Sequence, residues 1–244
     1  FSQWRSSWLS REGVLAVWTY LPAGLLAIGW VMYEQADGIF AIAAALTIPS
    51  VLLTVYCTGM IYASLPTIRQ WKQPLTVPVY LALSLASGAV LLCLLFSIYD
   101  EQETGGVLLA LPALAISAVF KWLYWRRIDD EPRDHTPGAV TGLGHLGKVR
   151  PLEPPHTQAN YVMREMGYQV ARKHVEKLRR WVYILAFFAP ALLVLTSYEE
   201  HAVTGIIGCS LASLSMALGL IVERWLFFAE AEHVVMLYYG AEAA

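Results

Sequence analysis

GIFAIAAALTIPSVLLTVYCTGMIYA, residues Gly38–Ala63, runs without a charged side chain. At ~1.5 Å of rise per helical residue it exceeds the ~30 Å hydrocarbon core of a bilayer. Lipid offers the backbone no hydrogen bonds, so a stretch of this length and character is expected to cross a membrane as a helix. Its flanks differ in sign: Glu34 and Asp37 precede it, Arg69 and Lys72 follow it.

The same pattern extends in both directions. Val14–Tyr33, Val77–Tyr99, Gly105–Trp125, Trp181–Tyr198 and Ala202–Val222 are further apolar stretches of membrane length. One set of connections holds Arg5 and Arg11, then Arg69 and Lys72, then the long loop from Arg126 to Arg180, with Lys121 and Arg224 near predicted helix ends. The other set reads Glu34/Asp37, Asp100/Glu101/Glu103 and Glu199/Glu200, without a basic residue. All 17 Lys and Arg residues therefore fall on one side. Cytoplasmic loops are the ones enriched in Lys and Arg, so both ends of the chain and the long loop are expected in the cytoplasm. With 57% apolar and 15% charged residues, the fold class is an all-α integral membrane protein. Six transmembrane helices form a single membrane domain over residues 1–244.

The net charge of −2 says little, but its segregation excludes a nucleic-acid partner as the reason for the basic residues, which topology already explains. The basic side suits membrane lipid headgroups or an acidic protein surface. Cys57, Cys93 and Cys209 all lie within spans, without CxxC spacing, and read as packing residues. The chain opens on Phe1 with no initiator Met, signal peptide or charged n-region, and reads as a fragment of a longer protein.

Local signals refine this picture. Ser10 is placed as an N-cap, which puts Arg11 and Glu12 in the first helical turn. Trp4 and Trp8 suit the headgroup level. Pro22, Pro49, Pro112 and Pro190 lie inside spans, where each removes an N–H and invites a kink. The long loop begins with a Gly- and Pro-rich part expected to lack regular structure. Its GLGHLG run has no preceding strand and is no nucleotide loop. Its second part carries Tyr161, Met163, Met166, Val170 and Val175 at mostly helical spacing. Arg164, Arg172, Lys173 and Lys177 lie between them, as on an amphipathic helix that meets lipid or a partner, or that merely extends the fifth span. The string after Val222 is helical in character to about Gly240.

No redox centre has ligands in this chain. None of the six histidines lies mid-membrane, so no haem ligands are evident, and no Cys cluster would hold iron and sulfur. The charges of interest are interfacial: Arg11 and Glu12 open the first span, Glu223 and Arg224 close the sixth, at similar depth. An acid and a guanidinium at the edge of the apolar region suit an oily ligand with a protonatable head, and a quinone fits. The structural alternative is that these charges only complement helix termini, worth ~0.3–1 kcal/mol each when exposed.

SSWLSREGVLA with its following span, and the terminal ERWLFFAEAEHVVMLYY, resemble the membrane anchor subunit of dimethyl sulfoxide reductase-type molybdoenzymes. GLGHLGKVRPLEPPHT and NYVMREMGYQVARKH resemble the branch that includes cytoplasmic sulfite dehydrogenases. The resemblance covers essentially the whole chain. It implies the last six helices of an eight-helix bundle in a bacterial inner membrane. It also implies a quinone site (ubiquinone or menaquinone), a four-cluster iron–sulfur subunit and a molybdopterin catalytic subunit. By motif Glu12 matches an acidic residue used in quinone handling, and Arg224 a basic residue of the final span. Arg5, Trp8, Ser10 and Arg11 are neighbours by position. The chain itself would hold no catalytic residue and no metal. Because the motif-bearing ends fall on the basic side, sulfite oxidation with electrons passed to quinone is the first reading. A quinol-oxidising anchor of a sulfoxide or oxyanion reductase is the alternative within the class. A purely structural tether and a transporter are the alternatives outside it, the latter disfavoured because no charge is expected at the membrane centre.

Overall fold

The computed structural model describes residues 2–34, 37–99, 104–132, 135–153, 169–198 and 202–239. Regular structure among them is helical: α1 (Trp8–Tyr33), α2 (Gly38–Ala63), α3 (Thr76–Tyr99), α4 (Thr104–Asp130), α5 (Pro137–Thr141), α6 (Gln169–Lys173), α7 (Val175–Thr196) and α8 (Ala202–Ala229). Of these, α1 to α4, α7 and α8 are long and apolar enough to cross a membrane.

The helices overrun the apolar stretches on the basic side. α1 begins at Trp8 and not Val14, α4 continues past Trp125 to Asp130, α7 starts at Val175 and not Trp181, and α8 passes Val222 to reach Ala229. Hydropathy stops at the first charge, whereas a helix continues wherever its charges find partners. Lys121, Glu223 and Arg224, expected near helix ends, are consequently well inside helices. The N-cap of α1 is Ser7, not Ser10. Ser7 has an extended backbone, and its Oγ accepts from the Ser10 N–H at 3.4 Å. Arg11 and Glu12 therefore stand in the second turn.

α3, α4, α7 and α8 pack as a bundle around small and branched side chains such as Val90, Ala110, Leu114, Val182 and Ala212. α1 packs on α2, and α2 on α3, so the α1–α2 hairpin joins the bundle mainly through α2, with Trp30 of α1 6.0 Å from the Tyr99 ring of α3. Close approach there needs Gly59, because a Cβ would come within 3.1 Å of the Val77 Cα. Tyr62 completes the joint. Its ring lies 5.1–5.8 Å from those of Trp71, Tyr80, Phe227 and Phe228, tying α2 to the 64–75 connection, α3 and α8. Such ring pairs contribute ~0.5–1.5 kcal/mol each beyond burial.

Of the four internal prolines, Pro22, Pro49 and Pro112 lie within unbroken helices. Only before Pro190 does the helix change, passing through a π turn at Tyr183–Phe188. Proline leaves a carbonyl of the preceding turn without its donor, and a π turn shifts the pattern further. Ser215 Oγ of α8 donates to the Leu185 carbonyl at 2.9 Å. Gly219 lets the two backbones meet, since a Cβ there would lie 2.4 Å from the Ala186 nitrogen.

The connection after α4 is not wholly irregular. Thr136 caps the short α5, and a 3₁₀ turn follows at Gly144–Leu146. Tyr161, Met163, Arg164 and Met166 of the expected amphipathic helix lie outside the described residues; its described remainder breaks at His174 between α6 and α7. The expected terminal helix to about Gly240 also ends early, at Ala229. The chain turns away there because other groups take its polar atoms. Arg172 Nε and Nη2 donate to the carbonyls of Ala229 and Ala231 at 3.0 and 2.9 Å. Val234 N–H then donates to the Thr67 carbonyl, in a bridge that pairs Ile68 with His233.

Candidate functional site

Two polar clusters occupy the basic ends of the membrane helices. The first lies between α1 and α2. Glu12 is half-buried, and its Oε1 accepts from Thr58 Oγ1 at 2.7 Å. Thr58 Oγ1 is also 3.1 Å from the Thr54 carbonyl. A single hydroxyl proton serves one acceptor at a time, so this pair has two states. With Glu12 ionised, Thr58 donates to it; with Glu12 protonated, Glu12 donates to Thr58, whose own proton turns to Thr54.

Arg11 stacks its guanidinium over Trp8, 4.2 Å from the ring centroid, and donates to the carbonyls of Trp4 and Arg5. Trp8 in turn meets Tyr56 edge-on at 6.0 Å. Arg11, Trp8 and Glu12 are thus brought together at the start of α1. Ser10 contributes its backbone N–H to the cap, and Arg5 its carbonyl; the Arg5 side chain is exposed.

The second cluster lies in the bundle. Lys121 of α4 and Glu223 of α8 form an ion pair, and both side chains are wholly buried. Arg224 adds two contacts to the same carboxylate, Nε to Oε2 at 2.5 Å and Nη2 to Oε1 at 2.8 Å. Its guanidinium lies 4.2 Å above the Tyr80 ring and 4.7 Å above Phe227, while its Nη1 is buried without a hydrogen-bond partner among the described residues. Lys121 Nζ sits 4.5 and 4.4 Å over the rings of Tyr124 and Trp125. At ~1.5 Å per residue Lys121 lies about 14 Å inside the end of α4, and Glu223 about 9 Å inside that of α8. Both members of the pair are thus enclosed by protein and stand before the ends of their helices. Arg224 and Glu12, both named as quinone-site candidates, have different partners: Arg224 meets Glu223, and Glu12 meets Thr58. What links them is α2, where Thr58 and Tyr62 share a face one turn apart and Tyr62 stacks on Tyr80 at 5.8 Å.

Beyond this cluster a polar cleft of about 490 Å³ opens at the basic face, lined by Arg69, Gln70, Asp129, Glu131, Arg179, Glu230 and Glu232 among others. Its walls are ion-paired. Arg179 bridges Asp129 and Glu230, and Arg69 reaches Glu131 and Glu232. Arg172, expected to face a partner, is instead committed to the end of α8, whereas Lys173 and Lys177 are exposed. The sequence reading missed Lys121 and Thr58 as site residues, and it had Glu223 only beside Arg224, not as the partner of Lys121. The signal for the pair was available, since a Lys and a Glu flanked by apolar residues on different helices need each other in lipid.

Helices that gather charge at one end, and open that end as an ion-paired cleft, build a membrane anchor. Among the described residues no group of three or more His, Cys, Asp or Glu side chains could hold a metal. The family model described as DMSO reductase anchor subunit (DmsC) matches residues 2–240, and the chain belongs to this family, the membrane anchors of molybdoenzyme complexes with catalytic and iron–sulfur partners. It is similar to a sulfite dehydrogenase subunit of Allochromatium vinosum, at 32% identity over 99% of this chain and 77% of that protein. No solved structure matches the chain.

Proposed function

We propose that the chain is the quinone-reactive anchor of a complex that oxidises sulfite and passes the electrons to the quinone pool, with its partners on the cytoplasmic face of a bacterial inner membrane. The observation that carries this reading is the Glu12–Thr58 pair: a half-buried carboxylate set between two helices, on a hydroxyl that also faces the Thr54 carbonyl. The residues suit a quinone head. Glu12 offers a proton, Arg224 keeps a buried guanidinium nitrogen in need of an acceptor, and Trp8, Tyr56, Tyr62 and Tyr80 supply ring surface. A bound quinone would supply an acceptor of two electrons and two protons. The chain's own part is to seat the head, hold it at the membrane edge and govern protons at Glu12.

The likeness to a sulfite dehydrogenase subunit supports the oxidative direction, while the family's description as a reductase anchor favours the reverse. Purification of the complex with its native partners decides between them. Sulfite-dependent reduction of added quinone is expected. Failure of that reaction, with quinol-dependent reduction of a sulfoxide in its place, would reverse the direction. A complex inert to quinone and quinol alike would leave the chain a tether.

A further inference from the structure

The leucines that follow α5 face outward. Leu143 and Leu146, at the 3₁₀ turn, and Leu152 beyond it are all exposed, Leu146 at 76% and Leu152 at 99%. Neither α5 nor the 3₁₀ turn buries a residue. Leucines on a span are covered by lipid; outside the membrane a cluster of them marks a surface that another molecule covers. The element is built without them. Thr136 Oγ1 accepts from the Ala139 N–H at 3.2 Å, Gly142 closes α5 with a φ of 71°, and His145 Nδ1 lies 3.0 Å from the Gly142 carbonyl. Gly138 and Gly144 bring the two backbones together, since a Cβ on Gly138 would come 2.9 Å from the Gly144 Cα. Caps and backbone hold the turn, and its leucines are left for another surface.

Height favours protein over lipid as what covers them. Trp122, Trp181 and Trp225 are exposed on α4, α7 and α8 toward their basic ends, where indole rings sit at the headgroup level. Past Trp122, α4 continues to Asp130, about 12 Å at ~1.5 Å per residue, and α7 begins about 9 Å before Trp181. The headgroup layer of one leaflet is only ~5–7 Å deep. α4 thus delivers the chain to α5 beyond the lipid. Charge gives the sign of the covering surface. His145, Lys148 and Arg150 accompany the leucines, and residues 143–152 hold no acid. The complementary surface is apolar at its centre and acidic around it.

We propose that residues 143–152, on the base that α5 provides, are a seat for the iron–sulfur partner and take an apolar patch ringed by acidic side chains on that subunit. This rests on the reading above, which sets the partners on this face. Electrons reach a quinone from the partner's clusters, so the iron–sulfur subunit is the partner that has to touch the chain. The three leucines supply the buried centre of the contact. Lys148 and Arg150 stand at its rim, where charge speeds encounter and fixes register more than it adds affinity. The tight glycine contacts keep the leucines in one arrangement before the partner arrives, so little order has to be gained on docking.

Two changes in the intact complex test this. Combining Leu143→Ser, Leu146→Ser and Leu152→Ser strips the apolar surface from three exposed positions and leaves the bundle untouched. The anchor should remain in the membrane, and the iron–sulfur subunit that copurifies with it should fall at least about tenfold. A photoreactive phenylalanine in place of Leu146, in an otherwise wild-type complex, should cross-link to the iron–sulfur subunit. Retention of that subunit within about twofold of wild type would overturn the docking. So would cross-links only to lipid, to the catalytic subunit or to a second copy of the chain. If the triple variant fails to accumulate, the cross-link decides alone, because its chain is wild type elsewhere. A wild-type complex that holds no iron–sulfur subunit would instead remove the reading on which the docking rests.

Discussion

Lys121 on α4 and Glu223 on α8 are paired where neither side chain retains any exposure. The pair joins two helices of the bundle, and Arg224 makes its energetics asymmetric. Removing the lysine leaves one acid facing one guanidinium; removing the acid leaves two cations without an anion. Glu223→Gln is therefore expected to destabilise the protein by about 3–5 kcal/mol, the range for breaking a buried pair, and Lys121→Met by clearly less. Thermal unfolding in lipid nanodiscs measures both. Equal losses would mean that Arg224 does not carry the carboxylate.

Arg179 makes a second test of stability. It holds Asp129 at 2.6 and 3.0 Å and Glu230 at 2.7 Å, tying α7 to the ends of α4 and α8. Asp129 is half exposed, so solvent screens that contact and the cost of Arg179→Met falls mainly on Glu230. A loss of about 1–3 kcal/mol is expected, with a smaller loss for Asp129→Asn. A larger effect at Asp129 would place the principal contact at the rim.

Topology is open to direct chemistry. Val140, in α5, is exposed, while Cys57, Cys93 and Cys209 are buried, so background labelling is low. Val140→Cys should react with an impermeant maleimide in inverted vesicles and not in spheroplasts, and Asp37→Cys the reverse. Labelling of Val140→Cys from outside would invert the orientation inferred from the basic loops.

The fold was largely legible because lipid makes the rules strict. Gly38–Ala63, an apolar run without a charge, is α2 to the residue. Legibility failed at the ends of the helices, where charged residues meet distant partners. α1 starts at Trp8 and α4 continues through Arg126–Asp130, while Thr58, Gln73, Lys121 and Arg179 meet the side chains of Glu12, Arg127, Glu223 and Asp129. Those partners come from distant parts of the chain, and no local pattern announces them. The π turn escaped for the same reason. Pro190 was visible, but the answer of Ser215 and Gly219 on the next helix was not. At the candidate site, Glu12 and Arg11 were singled out from motif and placement. Thr58, the hydroxyl that gives Glu12 its two states, looked like one more small residue in an apolar span.

Quinone chemistry at the membrane edge stands or falls with Glu12, and Glu12→Gln separates the two outcomes. The change is nearly isosteric, and the amide can still accept from Thr58, so the fold and the complex should persist. The measurement is the ratio of quinone-coupled to dye-coupled turnover in the purified complex. This ratio is expected to fall by about 10²-fold or more, because an amide cannot take the proton that the carboxylate handles. A ratio equal to that of the wild type would contradict a quinone role and return Glu12 to being a carboxylate that only ties α1 to α2.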